Sequence, residues 1–349
     1  MSGADGDSTQ SASWKPTFVA GGRLALTLAI SRYDHVRDLT AGEVTVDGVA
    51  LTALNLPVEE IFHRFLKFRE WEISELSFAK YAALTSQQNS PFTAIPVFPS
   101  RFFRHSSIYV RAGGPVKAPS DLKGRRVGIP EWAQTAAVYS RGVLAEDYGL
   151  DLTAIDWIQA GVNEPGRREK VALNLPPGMR LTPQPEKSLD GMLLAGEIDA
   201  VMSAHAPAAA EAGDPRVTRL FENFHQVEEE YWKRTRVFPI MHVIAIRREV
   251  VDRFPWVPMN LMKAFEEAKL RSVQRLTTFT ASRYPIPWMA DIAARTYAAF
   301  GGDPFSYGIE ANRPTLDTFL RWAFEQGVCR RRLTPEDLFA PGTEQRFKI

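Results

Sequence analysis

Three of the six histidines stand in short polar stretches that follow apolar runs of strand length. His35 ends Arg32-Tyr33-Asp34-His35, His105 ends Arg101-Phe102-Phe103-Arg104-His105, and His205 sits in Ser203-Ala204-His205-Ala206-Pro207. An imidazole titrates near neutrality and can give or take a proton, while a guanidinium fork matches a carboxylate and aromatic rings stack on a planar ligand. With Glu75 after another apolar stretch, these residue types suit acid–base work on a small aromatic acid. Each also has a structural alternative. His35 can bond a backbone carbonyl, His105 can precede a strand, and Glu75 can cap a helix as readily as orient a histidine. Arg101 and Arg104 can form a loop ion pair. His242, between Met241 and Val243, reads first as a core or hinge residue that can reach a ligand. His63 and His225 look like surface positions.

A second group follows the apolar core Val127 to Ile129. Ser120-Asp121-Leu122-Lys123-Gly124 reads as a turn stopped by glycine, then a strand, then Glu131-Trp132-Ala133-Gln134-Thr135. The spacing predicts a helix from Glu131 to Leu150, whose first-turn N–H groups would favour an anion. Asn163 and Glu164 open a Pro- and Gly-rich loop, 163–185, expected to cover a cleft, with Arg167 in turn chemistry or in contact with ligand.

In open α/β sheets, ligands collect beyond the carboxyl ends of the strands, so these positions outrank residues in mid-helix. Strand-length runs at Leu24–Ile30, 43–56, 71–75, 93–97 and 108–110 alternate with helix-spaced segments at 58–68 and 76–84, which predicts an α/β architecture. The chain crosses into a second lobe near Gly113-Gly114-Pro115 and returns through Met241 to Ile246. We therefore expect a leader at 1–21, a first lobe of residues 22–110 and 239–349 including the C-terminal helices, and a second lobe of residues 111–238. The leader is expected to be disordered because Ser, Gly, Asp and Gln dominate its start.

Composition narrows the function. The 349 residues carry a net charge of +1 with basic residues dispersed, which gives no footprint for nucleic acid. No run of about eighteen apolar residues and no secretory pattern is present, so the expected setting is the cytoplasm, with no membrane partner. Cys329 is the single cysteine, which leaves no disulfide and no multi-cysteine metal site. His35, Asp34, His105, His205 and Glu75 can be imagined around a divalent metal, but no pair has H-x-x-x-H spacing. P-loop, dinucleotide-binding G-x-G-x-x-G and G-x-S-x-G patterns are missing.

Five segments carry a family resemblance: 28–35, 75–81, 99–105, 121–132 and 308–313. Across about residues 22–340 the chain resembles the 4,5-dihydroxyphthalate decarboxylase family. The resemblance implies a two-lobed fold of the type II periplasmic-binding-protein kind, each lobe a mixed sheet flanked by helices, with the cleft between lobes. It also implies a carboxy-lyase that removes CO2 from a hydroxylated aromatic acid by protonating the ring carbon that bears the departing carboxylate, with no cofactor. On this expectation His35 and His205 share the proton roles, Asp34 or Glu75 orients an imidazole, and Arg101 and Arg104 hold carboxylates. Arg32, Tyr33, Phe103, His105, Glu131, Trp132, Gln134, Thr135, Asn163 and His242 complete the expected contacts to a small aromatic carboxylate. A homo-oligomer is compatible with the aromatic C-terminal helices. The competing class is a solute-binding module that captures the acid unchanged. A third, of the thiamin-pyrimidine type, would need a cysteine-rich motif.

Overall fold

The computed structural model describes residues 14–281 and 283–344. The chain opens with strands β1 (Thr17–Phe18), β2 (Leu24–Ile30), β3 (Val49–Asn55), β4 (Ile73–Ser77) and β5 (Phe92–Ile95), interleaved with helices α1 (Arg37–Thr40), α2 (Val58–Phe68) and α3 (Phe78–Thr85). It continues through β6 (Ile108–Arg111), β7 (Arg126–Ile129), β8 (Asp156–Gly161), β9 (Arg180–Ser188), β10 (Ala200–Met202) and β11 (Val217–Arg219), with α4 (Thr135–Tyr148), α5 (Leu189–Leu194), α6 (Ala208–Glu211) and α7 (Phe224–Thr235). It ends in β12 (His242–Arg247) and helices α8 (Arg248–Arg253), α9 (Val257–Thr277), α10 (Met289–Phe300) and α11 (Arg313–Glu325).

Two mixed sheets result. The first runs β1-β2-β4-β12-β5 with β3 beside β2, and the second runs β11-β6-β10-β7-β8-β9. Strands β2, β3 and β4 are parallel, as are β10, β7, β8 and β9. Strand β12 lies antiparallel to both β4 and β5. Its first residue therefore emerges at the same sheet edge as the last residue of β4, and that reversal places His242 at the cleft.

The boundaries differ from the sequence expectation at three places. Strand β6 belongs to the second sheet, so the first crossing precedes Ile108 rather than following residue 110. Residues 1–13 of the expected leader lie outside the described residues. The remainder is held in place: β1 pairs with Leu24 and Ala25, and the Trp14 indole donates to Glu72 at 3.0 Å. Helix α11 also does not stay on the first lobe. Phe319 of α11 stacks on Phe78 of α3 at 4.5 Å and meets Tyr139 of α4 at 4.9 Å, so α11 spans both lobes. Gly142 permits that contact, because a Cβ there would lie 2.2 Å from the Trp322 ring. Phe319 is fully buried in this position, and sequestering a side chain of that size stabilises by about 1.5–3 kcal/mol.

One buried cluster runs from the first sheet through α3 and α4 to α11, and a smaller one, with Leu189, Leu193, Ile198 and Val201, backs the second sheet. Among the described residues no helix is long and apolar enough to cross a membrane.

Candidate active site

A cavity of about 240 Å³ opens between the sheets. Its lining comes from chain just beyond the ends of parallel strands: Tyr33 after β2, Lys80 after β4, Ser100 and Arg104 after β5, Gln134 and Thr135 after β7, Arg167 after β8, and His205 after β10. His242 and Met241 join them from the start of the reversed strand β12.

Glu75 is fully buried and sits behind this lining. Its Oε1 is 2.6 Å from His242 Nδ1 and accepts the Tyr33 hydroxyl at 2.6 Å, while its Oε2 accepts the backbone N–H of Ser31 at 2.8 Å. Burial alone pushes the Glu75 carboxyl up, but the contacts to His242, Tyr33 and Ser31 outweigh it and hold the group below its ordinary value. Burial, followed by the charge of Glu75, keeps the Tyr33 phenol protonated far above its usual range. An ionised carboxylate only accepts hydrogen bonds, so Nδ1 of His242 is the protonated nitrogen facing it. Nε2 makes no bond within the described protein and belongs to the cavity-lining ring. The outcome is an imidazole of fixed orientation with a buried counter-charge.

A second carboxylate–imidazole pair spans the cleft. Glu59 of α2 lies 3.7 Å from His205 Nε2 and 3.4 Å from an Arg167 nitrogen, so the first lobe meets the second through one side chain. The close imidazole of His205 pulls the Glu59 carboxyl down to about 2, and the same contact raises His205 above its ordinary value. His205 thus keeps its proton to higher pH than a free imidazole.

Beneath them lies Glu131, with no exposed surface. It pairs with Lys80 at 2.9 Å, Arg167 at 2.6 Å and Lys170 at 3.7 Å. Burial pushes its carboxyl up, and the charges of Lys80, Arg167 and Lys170 more than reverse this. Glu131 therefore does not line the cavity as expected; it holds three cations that do.

Arg104 is only 7% exposed, yet its hydrogen bonds all go to neutral atoms. Nε and Nη2 reach Met241 Sδ at 3.1 and 2.6 Å, and Nη1 reaches Ser107 Oγ at 3.4 Å. Burial pulls its guanidinium down to about 10, still fully charged at neutral pH. Among the described residues no carboxylate forms a salt bridge with it, and the charge of Glu228 supports it only from beyond contact. A buried cation paired so weakly is costly, and an anion in the cavity would relieve that cost. Gln134, Thr135 and Ala136 bring the start of α4 to the same wall; its N-cap makes no side-chain capping bond. Its unpaired N–H groups favour negative charge there.

Of the residues expected from sequence, Tyr33, Arg104, Gln134, Thr135, His205 and His242 come together, with Glu75 directly behind them. The others are elsewhere. A short 3-10 turn, Asp34–Val36, swings His35 away from the cleft to pack between Tyr33 and Phe305, with centroids 5.3 and 5.4 Å away. Asp34 accepts from Ser272 and Tyr284 at 2.6 Å each and pairs with Arg275, which ties that turn to α9. Arg32 is exposed and outside the lining. Arg101 is consumed by the carbonyls of Phe238 and Ser306 and by the Asn312 side chain. Phe103 packs on Phe238 at 4.7 Å, and His105 is buried between Phe221 and Tyr231. Trp132 lies in the core under the Arg141 guanidinium at 3.8 Å, and Asn163 accepts the N–H of Ala208 at 2.8 Å at the start of α6.

The sequence reading did not select Glu59, Lys80, Lys170 or Met241, and it left Arg167 open. Lys80 had a signal: it is a lone cation in Phe78-Ala79-Lys80-Tyr81-Ala82-Ala83, a run apolar enough to be buried throughout. Glu59 follows β3 by the same positional rule that selected the others. Among the described residues no group of three His, Cys, Asp or Glu side chains is arranged to hold a metal ion.

Over 328 residues the chain is 39% identical to 4,5-dihydroxyphthalate decarboxylase of Comamonas testosteroni, covering 94% of this chain and 99% of that protein. It belongs to the 4,5-dihydroxyphthalate decarboxylase family. The family's members are carboxy-lyases, and the chain is an enzyme of that class. A second family member, from Pseudomonas putida, is 39% identical over 212 residues, covering 60% of this chain and 82% of that one. No protein-family model matches the chain. In three dimensions it is similar to the periplasmic aliphatic sulphonate binding protein SsuA of Escherichia coli, with a TM-score of 0.52 at 12% identity over 90% of this chain and 97% of that one. The chain thus has a periplasmic-binding-protein-like fold, within which activity must be argued from the site.

Proposed function

We propose that this chain converts 4,5-dihydroxyphthalate to 3,4-dihydroxybenzoate (protocatechuate) and CO2 in the interlobe cavity, without an organic cofactor or metal. The observation that carries the reading is the pair of cavity-facing imidazoles, each backed by a carboxylate, beside a buried guanidinium that forms no salt bridge among the described residues. Family membership supports the substrate.

In this substrate one ring hydroxyl is para to the carboxylate that leaves. His242, with Nδ1 donating to Glu75, has its Nε2 lone pair free to take that hydroxyl proton, and Glu75 stabilises the imidazolium formed. The phenolate pushes electron density to the para carbon. His205, whose proton is retained by Glu59, donates to that carbon and makes it tetrahedral. The carbon–carboxylate bond then breaks, its electron pair returns to the ring, and CO2 departs. The phenolate recovers the proton held on His242, so the net change is one proton consumed and one CO2 released. Arg104 and the start of α4 bind carboxylate, while Lys80, Arg167 and Lys170 offset the second negative charge of the dianion. Proton transfer by a positioned imidazole contributes about 10²- to 10⁴-fold in rate.

The test is incubation of chelator-treated protein with 4,5-dihydroxyphthalate, following CO2 and protocatechuate by chromatography. Stoichiometric formation of both supports the reading. Saturable binding with the acid recovered intact would overturn it in favour of a receptor.

A further inference from the structure

The two nitrogens of Arg104 that face Met241 are not an arbitrary pair. Nε and one Nη form the edge of a guanidinium that donates to both oxygens of a carboxylate in parallel. Here both point at one sulfur, at 3.1 and 2.6 Å. A thioether is a weak acceptor, and methionine turns about three side-chain bonds with little preference. The backbone of Met241 is fixed by contrast: its N–H donates to Ser100 at 2.8 Å and its carbonyl accepts from Phe78 at 2.9 Å. Any displacement must come from rotation of the side chain, which is buried at 2% exposure and lines the cavity next to His242.

We propose that the Met241 thioether is a displaceable stand-in on the carboxylate-binding edge of Arg104, which substrate pushes aside and which sets the affinity for the acid. The proposal rests on the functional reading above and deepens it. Without ligand, the sulfur keeps the buried donors from being wholly unsatisfied, a state that is expensive for charged groups. When a carboxylate enters, a charge-assisted bidentate pair replaces two weak contacts, and the anion is delivered one residue from the imidazole that Glu75 orients. Met241 is thereby a specificity-determining residue, selecting an anion strong enough to displace it over a neutral ring.

Two substitutions move this balance in opposite directions. Met241→Leu keeps the apolar bulk and removes the acceptor, leaving the fork free. Met241→Gln offers a carbonyl oxygen that competes with the ligand. Titration calorimetry with phthalate, which carries both carboxylates and no ring hydroxyl, reads binding without turnover. We expect M241L to bind phthalate about 3- to 10-fold more tightly than the parent and M241Q to bind more weakly by a similar factor. Catechol, the neutral control, should be unaffected in both. Equal weakening of phthalate by the two variants, or parallel changes for catechol, would make Met241 a packing residue only and overturn the proposal. Failure of the parent protein to decarboxylate 4,5-dihydroxyphthalate would sink the reaction assignment while leaving the phthalate series intact as a test.

Discussion

Glu75 and His242 are diagonal neighbours on one face of the antiparallel pair β4–β12, where His242 stands opposite Ser77 and Ile244 opposite Glu75. The pleat aims both side chains to the same side, and the 2.6 Å contact follows from register rather than from a flexible loop. Two strands of a packed sheet therefore hold the imidazole, which is how a proton-transferring group is kept in one orientation.

Glu75→Gln retains the shape and removes the charge. The amide can donate to Nδ1 and so favours the tautomer with its proton on Nε2, the wrong nitrogen for a base. We expect kcat for protocatechuate formation to fall by about 10²-fold or more, within the range for loss of positioned acid–base help. KM should change little, because Glu75 does not face the ligand. A loss confined to KM would assign Glu75 to binding instead.

The Glu59–His205 pair predicts a pH effect whose sign is fixed. Glu59 raises His205, so its proton persists as pH climbs past the ordinary histidine range. In Glu59→Gln that support is gone, and the alkaline limb of kcat/KM should move to lower pH. A profile measured from pH 5 to 9 decides it. A limb that stays in place would mean that His205 is not the proton donor.

The alternation of apolar runs with helical spacing made the α/β architecture and the two lobes legible, and the positional rule beyond strand ends picked out Tyr33, Arg104, Gln134, Thr135 and His205, which all line the cavity. What it could not supply was pairing between distant segments. Glu75 and His242 are 167 positions apart, and nothing local says that β12 runs antiparallel to β4. Its reversal makes His242 a cleft residue, whereas a parallel strand would have put it at the opposite end. His35 fails for the complementary reason: a single 3-10 turn after β2 is enough to rotate it from the cleft to the underside of α9. Arg101 and Arg104 look alike in sequence, and only the carbonyls gathered around Arg101 separate a structural guanidinium from one that forms no salt bridge among the described residues.

His105 should make stability depend on pH. It is buried, neither ring nitrogen is bonded within the described protein, and burial pushes it down to about 4. The unfolded chain takes up a proton near pH 6.5, the fold only near 4, so stability is lost progressively as pH falls between those values and levels off below. The loss amounts to about 3 kcal/mol. His105→Phe should fit between Phe221 and Tyr231 and flatten that part of the acid limb in urea titrations at pH 4 to 7. An unchanged slope would mean that His105 is already protonated in the fold or is reached by water.

Gly142 tests whether α11 clamps the lobes. It lies in the middle of α4, where alanine is intrinsically the better helix former by about 1 kcal/mol, so an unobstructed Gly142→Ala would stabilise the protein. Here the new Cβ would meet the Trp322 ring at 2.2 Å, a distance neither group can accept. Trp322 also meets Tyr139, of the same helix as Gly142, edge-on with ring centroids 6.1 Å apart, and its indole N–H donates to Glu146 at 2.9 Å, so it cannot retreat from α4 without giving up both. The overpacking penalty of about 1–3 kcal/mol should prevail, and thermal unfolding of the alanine variant should begin at lower temperature than the parent. Because α11 touches α3 and α4 together, the same variant should also loosen the approach of the lobes, seen as faster amide exchange in both helices. Unaltered exchange in α3 alongside a loss confined to α4 would limit the role of Trp322 to one lobe.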